Sequence, residues 1–213
     1  MNTSWESLIP DILPYVAGPD EGFKRPPDGL IIHTLRRSAE FFLRSSGLLR
    51  DTYCADVQCG VREVPFIVPE GRELLRIVSV KLAREASPCV PCGVDNVVKG
   101  VFDGHEMYTL DHEPIWDQRE GVCFEYTYTE DLSVCAAPEW MEDARWRDTV
   151  VAITLMRMWE MVHMDWGDMR AAATQRLTVN KLLAYARGVA TNHGARPSRP
   201  RVSAKLGGMF WGV

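Results

Sequence analysis

The sequence predicts an α+β fold: an antiparallel bundle of four helices, an inserted small antiparallel β-domain, and an extended C-terminal tail. Three observations lead there. Apolar residues recur at helical spacing in two stretches near the start of the chain and in two near its end. The interval between them, residues 51–137, loses that period and carries short β-branched and aromatic runs punctuated by proline and glycine. The final residues carry prolines, glycines and basic side chains with no apolar period. The boundaries read as 1–50 and 138–194 for the bundle helices, 51–137 for the β-domain and 195–213 for the tail.

Thr3-Ser4-Trp5-Glu6 fits a capping box, with Thr3 as N-cap. Trp5, Leu8, Ile9, Ile12, Leu13 and Val16 follow at helical spacing, and Pro10 and Pro14 keep that helix short or kinked. Residues 17–29 are rich in turn formers. Leu30 to Leu49 reads as an amphipathic helix, with Ile31, Leu35, Ala39 and Phe42 on one side, Arg36, Arg37 and Arg44 on the other, and Asp28 placed to cap it or to meet the positive end of its dipole. Strand-like runs follow at Val64–Val68, Arg76–Leu82, Met107–Leu110 and Cys123–Thr129, as part of five to seven strands. In the last run Phe124, Tyr126 and Tyr128 alternate with polar residues, as in a half-buried strand. Pro138-Glu139-Trp140 opens a long helix to about His163, and a second runs from about Met169 to Asn192, with Gly194 near its C-cap. Trp159, Met161 and Met164 give the first of these more apolar width than one stripe needs, which makes them candidate subunit-interface residues or, equally, bundle core.

The composition is that of an ordinary globular chain, 46% hydrophobic and 25% charged. No apolar run is long enough to span a membrane, and the N-terminus has neither the basic nor the apolar region of a secretory signal. The net charge of −5 hides a division. Beyond Met169 there are basic residues and no Asp or Glu, so the acidic excess lies wholly in the first four-fifths of the chain. In a reducing cytoplasm the six cysteines read as free thiols. Cys89-Val-Pro-Cys92 has the spacing of a zinc knuckle, yet Cys54 and Cys59 are too far apart for a standard second half. The histidines are scattered. His105 and His112 would point to opposite faces of a strand, and His163 sits where a helix end favours a cation. No phosphate-binding glycine loop, dinucleotide fingerprint, H-E-x-x-H or nucleophile elbow is present. The expectation is a protein with no catalytic residues, cofactor or metal.

Several local patterns, in their order, resemble the phage head–tail adaptors of the tail-tubular-protein-A type. Leu8-Ile9-Pro10-Asp11-Ile12-Leu13-Pro14-Tyr15-Val16 followed by Leu35-Arg36-Arg37-Ser38-Ala39-Glu40-Phe41-Phe42 is similar to that family's opening helices. The β-region returns at Ala137-Pro138-Glu139-Trp140, like the family's "P.W". Arg145-Trp146-Arg147-Asp148-Thr149-Val150-Val151-Ala152 looks like its third helix, and Ala184-Tyr185-Ala186-Arg187-Gly188-Val189-Ala190-Thr191-Asn192 like the end of its fourth. Phe42 stands where a cysteine is frequent, and His163-Met164-Asp165-Trp166 replaces the usual turn between the long helices.

The resemblance implies a structural virion protein at the head–tail junction, assembled in the host cytoplasm. It implies copies in a ring, usually twelvefold, docked on the portal protein. The ring would extend the DNA channel, pass the genome without sequence-specific binding, and present a platform to a distal tail, nozzle or neck protein. The tail would reach the portal, with Arg196, Arg199, Arg201 and Lys205 steering and Phe210 and Trp211 anchoring. The acidic excess would suit a channel through which phosphates must slide. Two other classes remain open: a small zinc-binding module built on the cysteines, and a helical nucleic-acid-binding protein using Arg170, Arg176, Lys181 and Arg187.

Overall fold

The computed structural model describes residues 4–17, 24–82, 96–97, 99–104, 106–115, 117–134 and 136–194. Within them the chain is mixed α and β, with four α-helices and two small antiparallel sheets. The helices are α1 (Ile9–Val16), α2 (Asp28–Ser46), α3 (Ala144–Trp159) and α4 (Met169–Gly194). The strands are β1 (Arg50–Val57), β2 (Glu63–Pro65), β3 (Arg72–Leu82), β4 (Asn96–Val97), β5 (Gly100–Phe102), β6 (Met107–Leu110) and β7 (Gln118–Glu130).

The helices share one apolar core, and α3 is its centre. Trp146, Val150, Ala152, Ile153, Leu155 and Met158 are all buried, so α3 hides nearly its whole circumference rather than one stripe. Its buried hydroxyls are satisfied along the helix: Thr149 donates to the Arg145 carbonyl at 2.7 Å and Thr154 to that of Val150 at 2.8 Å. Around it pack α1, α2 and α4, with α4 also against α2. From α2 come Ile31, Leu35, Ala39 and Phe42, each fully buried at the predicted spacing. Phe42 stacks on Trp140 at 5.5 Å and meets Trp146 at 5.8 Å. Each such large side chain stabilises by roughly 1.5–3 kcal/mol relative to leaving it in water.

Helix ends depart from the predicted ones for local reasons. The first turn is a 3-10 turn, Trp5–Leu8, capped by Ser4 rather than Thr3, with the Ser7 amide donating to Ser4 Oγ at 3.3 Å. Thr3 lies outside the described residues. Helix α2 stops at Ser46, short of Leu49, because Gly47 adopts a left-handed conformation (φ 62°) and its amide closes onto the Leu43 carbonyl. Asp28 lies in the first turn of α2, at the positive end of its dipole, and Pro27 is the cap residue. The third helix is preceded by a separate 3-10 turn, Glu139–Glu142, and Asp143 caps α3 by accepting from the Arg145 amide. Asp168 caps α4, accepting from the amides of Arg170 and Ala171 at 2.9 and 3.0 Å.

The seven described strands form one sheet ordered β1-β7-β3-β4 and another ordered β2-β6-β5, antiparallel throughout. They have a core of their own. Phe124, Tyr126 and Tyr128 on β7 point into it, as the alternation predicted. Phe66, in the link after β2, joins the two sheets: it is 0% exposed, and its ring lies 4.9 Å from Phe124, 5.3 Å from Tyr126 and 5.4 Å from Phe102. The opposite face of β7 turns to the helices, with Thr127 and Thr129 buried beside the end of α2. Leu49 touches both cores.

The free-thiol expectation is corrected at one pair. Cys54 and Cys123 face each other across β1 and β7, with Cα atoms 4.1 Å apart, and are joined by a disulfide. The register places both side chains on one face, so bonding needs no backbone rearrangement.

Candidate functional surfaces

Three places concentrate polar or exposed apolar groups. The first is a cleft of about 580 Å³ where α2 meets the ends of β3 and β7. His33, Arg36, Arg37 and Glu40 reach it from the helix, and Arg72, Glu73 and Thr129 from the strands. Its charges are largely committed to one another. Arg37 pairs with Glu40 at 3.4 Å, and Arg44 holds Glu40 and both oxygens of Glu73. Arg72 binds Asp51 and lies over the Tyr128 ring at 4.2 Å. Arg36 donates to the Val134 carbonyl beside Trp5. The cleft is thus a seam tying α2 to the sheet, and it shows no single sign of charge to a ligand.

The ionisation shifts agree with that structural role. The Arg72 guanidinium, helped by the Thr52 amide, holds Asp51 below the usual carboxylate range. Arg145 does the same to Asp143. Burial pushes the phenols of Tyr108, Tyr126 and Tyr128 up. Burial draws the Arg157 guanidinium, over the Phe41 ring, down. Carboxylates held ionised and phenols held neutral have no proton to exchange near neutral pH.

The second place is the polar stretch of the larger sheet's helix-facing side, where the disulfide lies. Arg50 and Glu125 pair there at 3.0 Å, Ser79 donates to Glu125, and Ala190 near the end of α4 closes the other side. Cys54 is committed to Cys123, which removes it from any metal site. Cys59 is free and exposed. Cys89, Cys92, Cys135 and His105 lie outside the described residues. Among the described residues no group of three or more His, Cys, Asp or Glu is placed to hold a metal ion.

The third place is the turn between α3 and α4. Trp159 and Met161 pack against the helical core, while Met164 is 49% exposed. Trp159 Nε1 donates to the Tyr15 carbonyl, which joins this turn to the end of α1. Val162, Met169 and Tyr15 are also exposed. His163 is exposed as well, and Asp165 accepts from the Lys24 amide. The candidate tail residues Arg196, Arg199, Arg201, Lys205, Phe210 and Trp211 lie outside the described residues.

Sequence reasoning missed the ion-paired seam and the disulfide. The spacing of Arg37, Glu40 and Arg44 on one helix is a signal of neighbouring charges that went unread, and Glu73 and Asp51 come from strands whose pairing the sequence does not reveal. Among the described residues no helix is long and apolar enough to cross a membrane. No known family model matches the chain, and no curated protein matches it.

Proposed function

We propose that the chain is a head–tail adaptor: a structural virion protein whose copies form a ring on the portal, continue the DNA channel and carry the next tail component. In this reading the four helices are the antiparallel bundle of the ring wall, the β-unit projects from it, and residues 195–213 engage the portal. The ring is twelvefold, matched to the portal, and the genome passes without base-specific contacts.

The observation that supports it most is how the chain is divided. Helices from both ends of the sequence pack into one core around α3, and the β-unit between them has a second core. That is the order of elements on which the resemblance rests. The charged groups of the cleft form ion pairs that tie α2 to the sheet, which fits an assembly role.

The test is the mass of the full chain alone and mixed with the portal ring of the same phage, by light scattering after size exclusion. A discrete complex with one adaptor per portal subunit is expected. A chain that stays apart from the portal refutes the reading. Removal of residues 195–213 is expected to abolish binding; retained binding would refute the role of the tail and leave the adaptor reading in place.

A further inference from the structure

The helices around α3 form an arc. Helix α2 packs on both of its neighbours, whereas no comparable packing joins α1 to α4 among the described residues, so these two are the ends of the arc. Among the described residues each end leaves one face exposed, and the two faces carry opposite charge.

At one end, α4 buries Ala172, Val179, Leu183, Ala186 and Ala190, packs Leu182 and Val189 beside them, and leaves the side bearing Arg170, Ala173, Leu177, Lys181 and Ala184 exposed. Over its 26 residues it has four basic side chains and no acidic one. Arg176 is paired with Glu160, and Arg187 donates to the Ser45 carbonyl. Arg170 and Lys181 are exposed with no ion-pair partner among the described residues. Between them Leu177 is 65% exposed, flanked by the exposed small residues Ala173 and Ala184.

At the other end the sign reverses. Residues 4–17 contain Glu6 and Asp11 and no basic residue, and both carboxylates are exposed. Ser4 bridges to Ala136, which draws in the 3-10 turn bearing the exposed Glu139 and Glu142. None of these four carboxylates has an ion-pair partner among the described residues. Arg36 beside them is engaged by the Trp5 ring and the Val134 carbonyl. This face has its own exposed apolar group, Tyr15, at 62%.

We infer that the basic outer face of α4 docks on the acidic α1 face of a second copy of this chain. The inference rests on the ring reading and specifies its contact. Two different faces at opposite ends of one arc make a heterologous contact, the kind that repeats around a closed ring. Arg170 and Lys181 meet Glu6, Asp11, Glu139 and Glu142, and Leu177 and Tyr15 supply apolar area at the contact. Like faces repel, so α4-to-α4 and α1-to-α1 pairings are disfavoured.

The experiment uses the full chain in four forms: wild type, Arg170→Glu with Lys181→Glu, Glu6→Lys with Asp11→Lys, and all four changes together. Circular dichroism confirms that each is folded. Self-association is followed by sedimentation at low and high salt, and ring closure on the portal by native mass spectrometry. Each reversal is expected to weaken association by about ten-fold or more, and the combined swap to recover most of it. Wild-type association is expected to weaken as salt rises. A swap no better than either reversal, or association indifferent to salt, overturns the assignment. If reversal variants still close rings on the portal, the faces are wrong and the adaptor reading stands. If the swap governs self-association but the portal is not bound, the faces stand and the adaptor reading falls. If the wild type neither self-associates nor binds the portal, both fall.

Discussion

Truncating Phe66 to alanine should destabilise the β-unit far more than the helices. The ring is 0% exposed and is held by Tyr53, Phe102, Phe124 and Tyr126, all within 5.7 Å. Deleting a buried phenylalanine costs about 3–5 kcal/mol, and the upper part of that range applies where the walls are rigid aromatic rings from several strands. Phe66 also joins the two sheets, so the cavity lies where neither sheet can close it alone. Among the described residues the helical core shares only the partly buried Leu49 with this one. Hydrogen exchange with mass spectrometry is the direct assay, because it reads both regions in one sample. Protection should fall over residues 50–130 by the full cost, by less in α2, which loses part of its seam with β3 and β7, and least in α3 and α4. A loss below about 2 kcal/mol in the strands would refute the packing argument. An equal loss in the helices would refute the separation of the two cores.

Three further outcomes follow from local geometry. At Gly167 a Cβ would lie 2.4 Å from the Met161 carbonyl oxygen, whereas at Gly188 nothing lies within 4 Å; urea denaturation should therefore show Gly167→Ala losing about 1–3 kcal/mol and Gly188→Ala gaining up to about 1 kcal/mol. The disulfide links residues 69 apart, so reduction should remove about 4 kcal/mol from the β-unit in chain-entropy terms, seen as a lower midpoint with the two new thiols counted by alkylation. Asp51 has its pKa lowered by Arg72 from an ordinary 3.8, so the pair stabilises the fold above that value and loses this contribution as pH falls through the lowered one. Asp51→Asn should therefore flatten the acid limb of the stability–pH curve while costing less than about 1 kcal/mol at neutral pH, because the pair is partly exposed.

Much of the fold was legible because its signals are local. The spacing of Ile31, Leu35, Ala39 and Phe42 gave α2, and the alternation of Phe124, Tyr126 and Tyr128 gave β7 with the correct inward face. Gly47 was the missed stop of α2: the apolar period continues through Leu48 and Leu49, and only the left-handed turn ends the helix. Strand β1 was missed because Arg50–Val57 mixes charged and apolar residues with no clear alternation. It exists because β7 supplies a partner 70 residues later in the sequence. The disulfide was hidden for the same reason, since cysteine spacing cannot reveal register. Of the surfaces, the absence of acid from α4 was visible in the sequence, but its place at one end of the arc was not.

The β-unit leaves and rejoins the helices through β1 and β7, which are hydrogen-bonded neighbours with Arg50 opposite Thr127. Its entry and exit are therefore one strand spacing apart, about 5 Å. A gap that narrow can be bridged by a two-residue hairpin loop. The interval between the two anchor points is thus an exchangeable cassette: its length and contents can drift, shrink or be replaced while the spacing presented to Leu49 and Leu132 stays constant. Inheritance can act on the two halves of the molecule separately, and so can a designer who wishes to graft another module at this site.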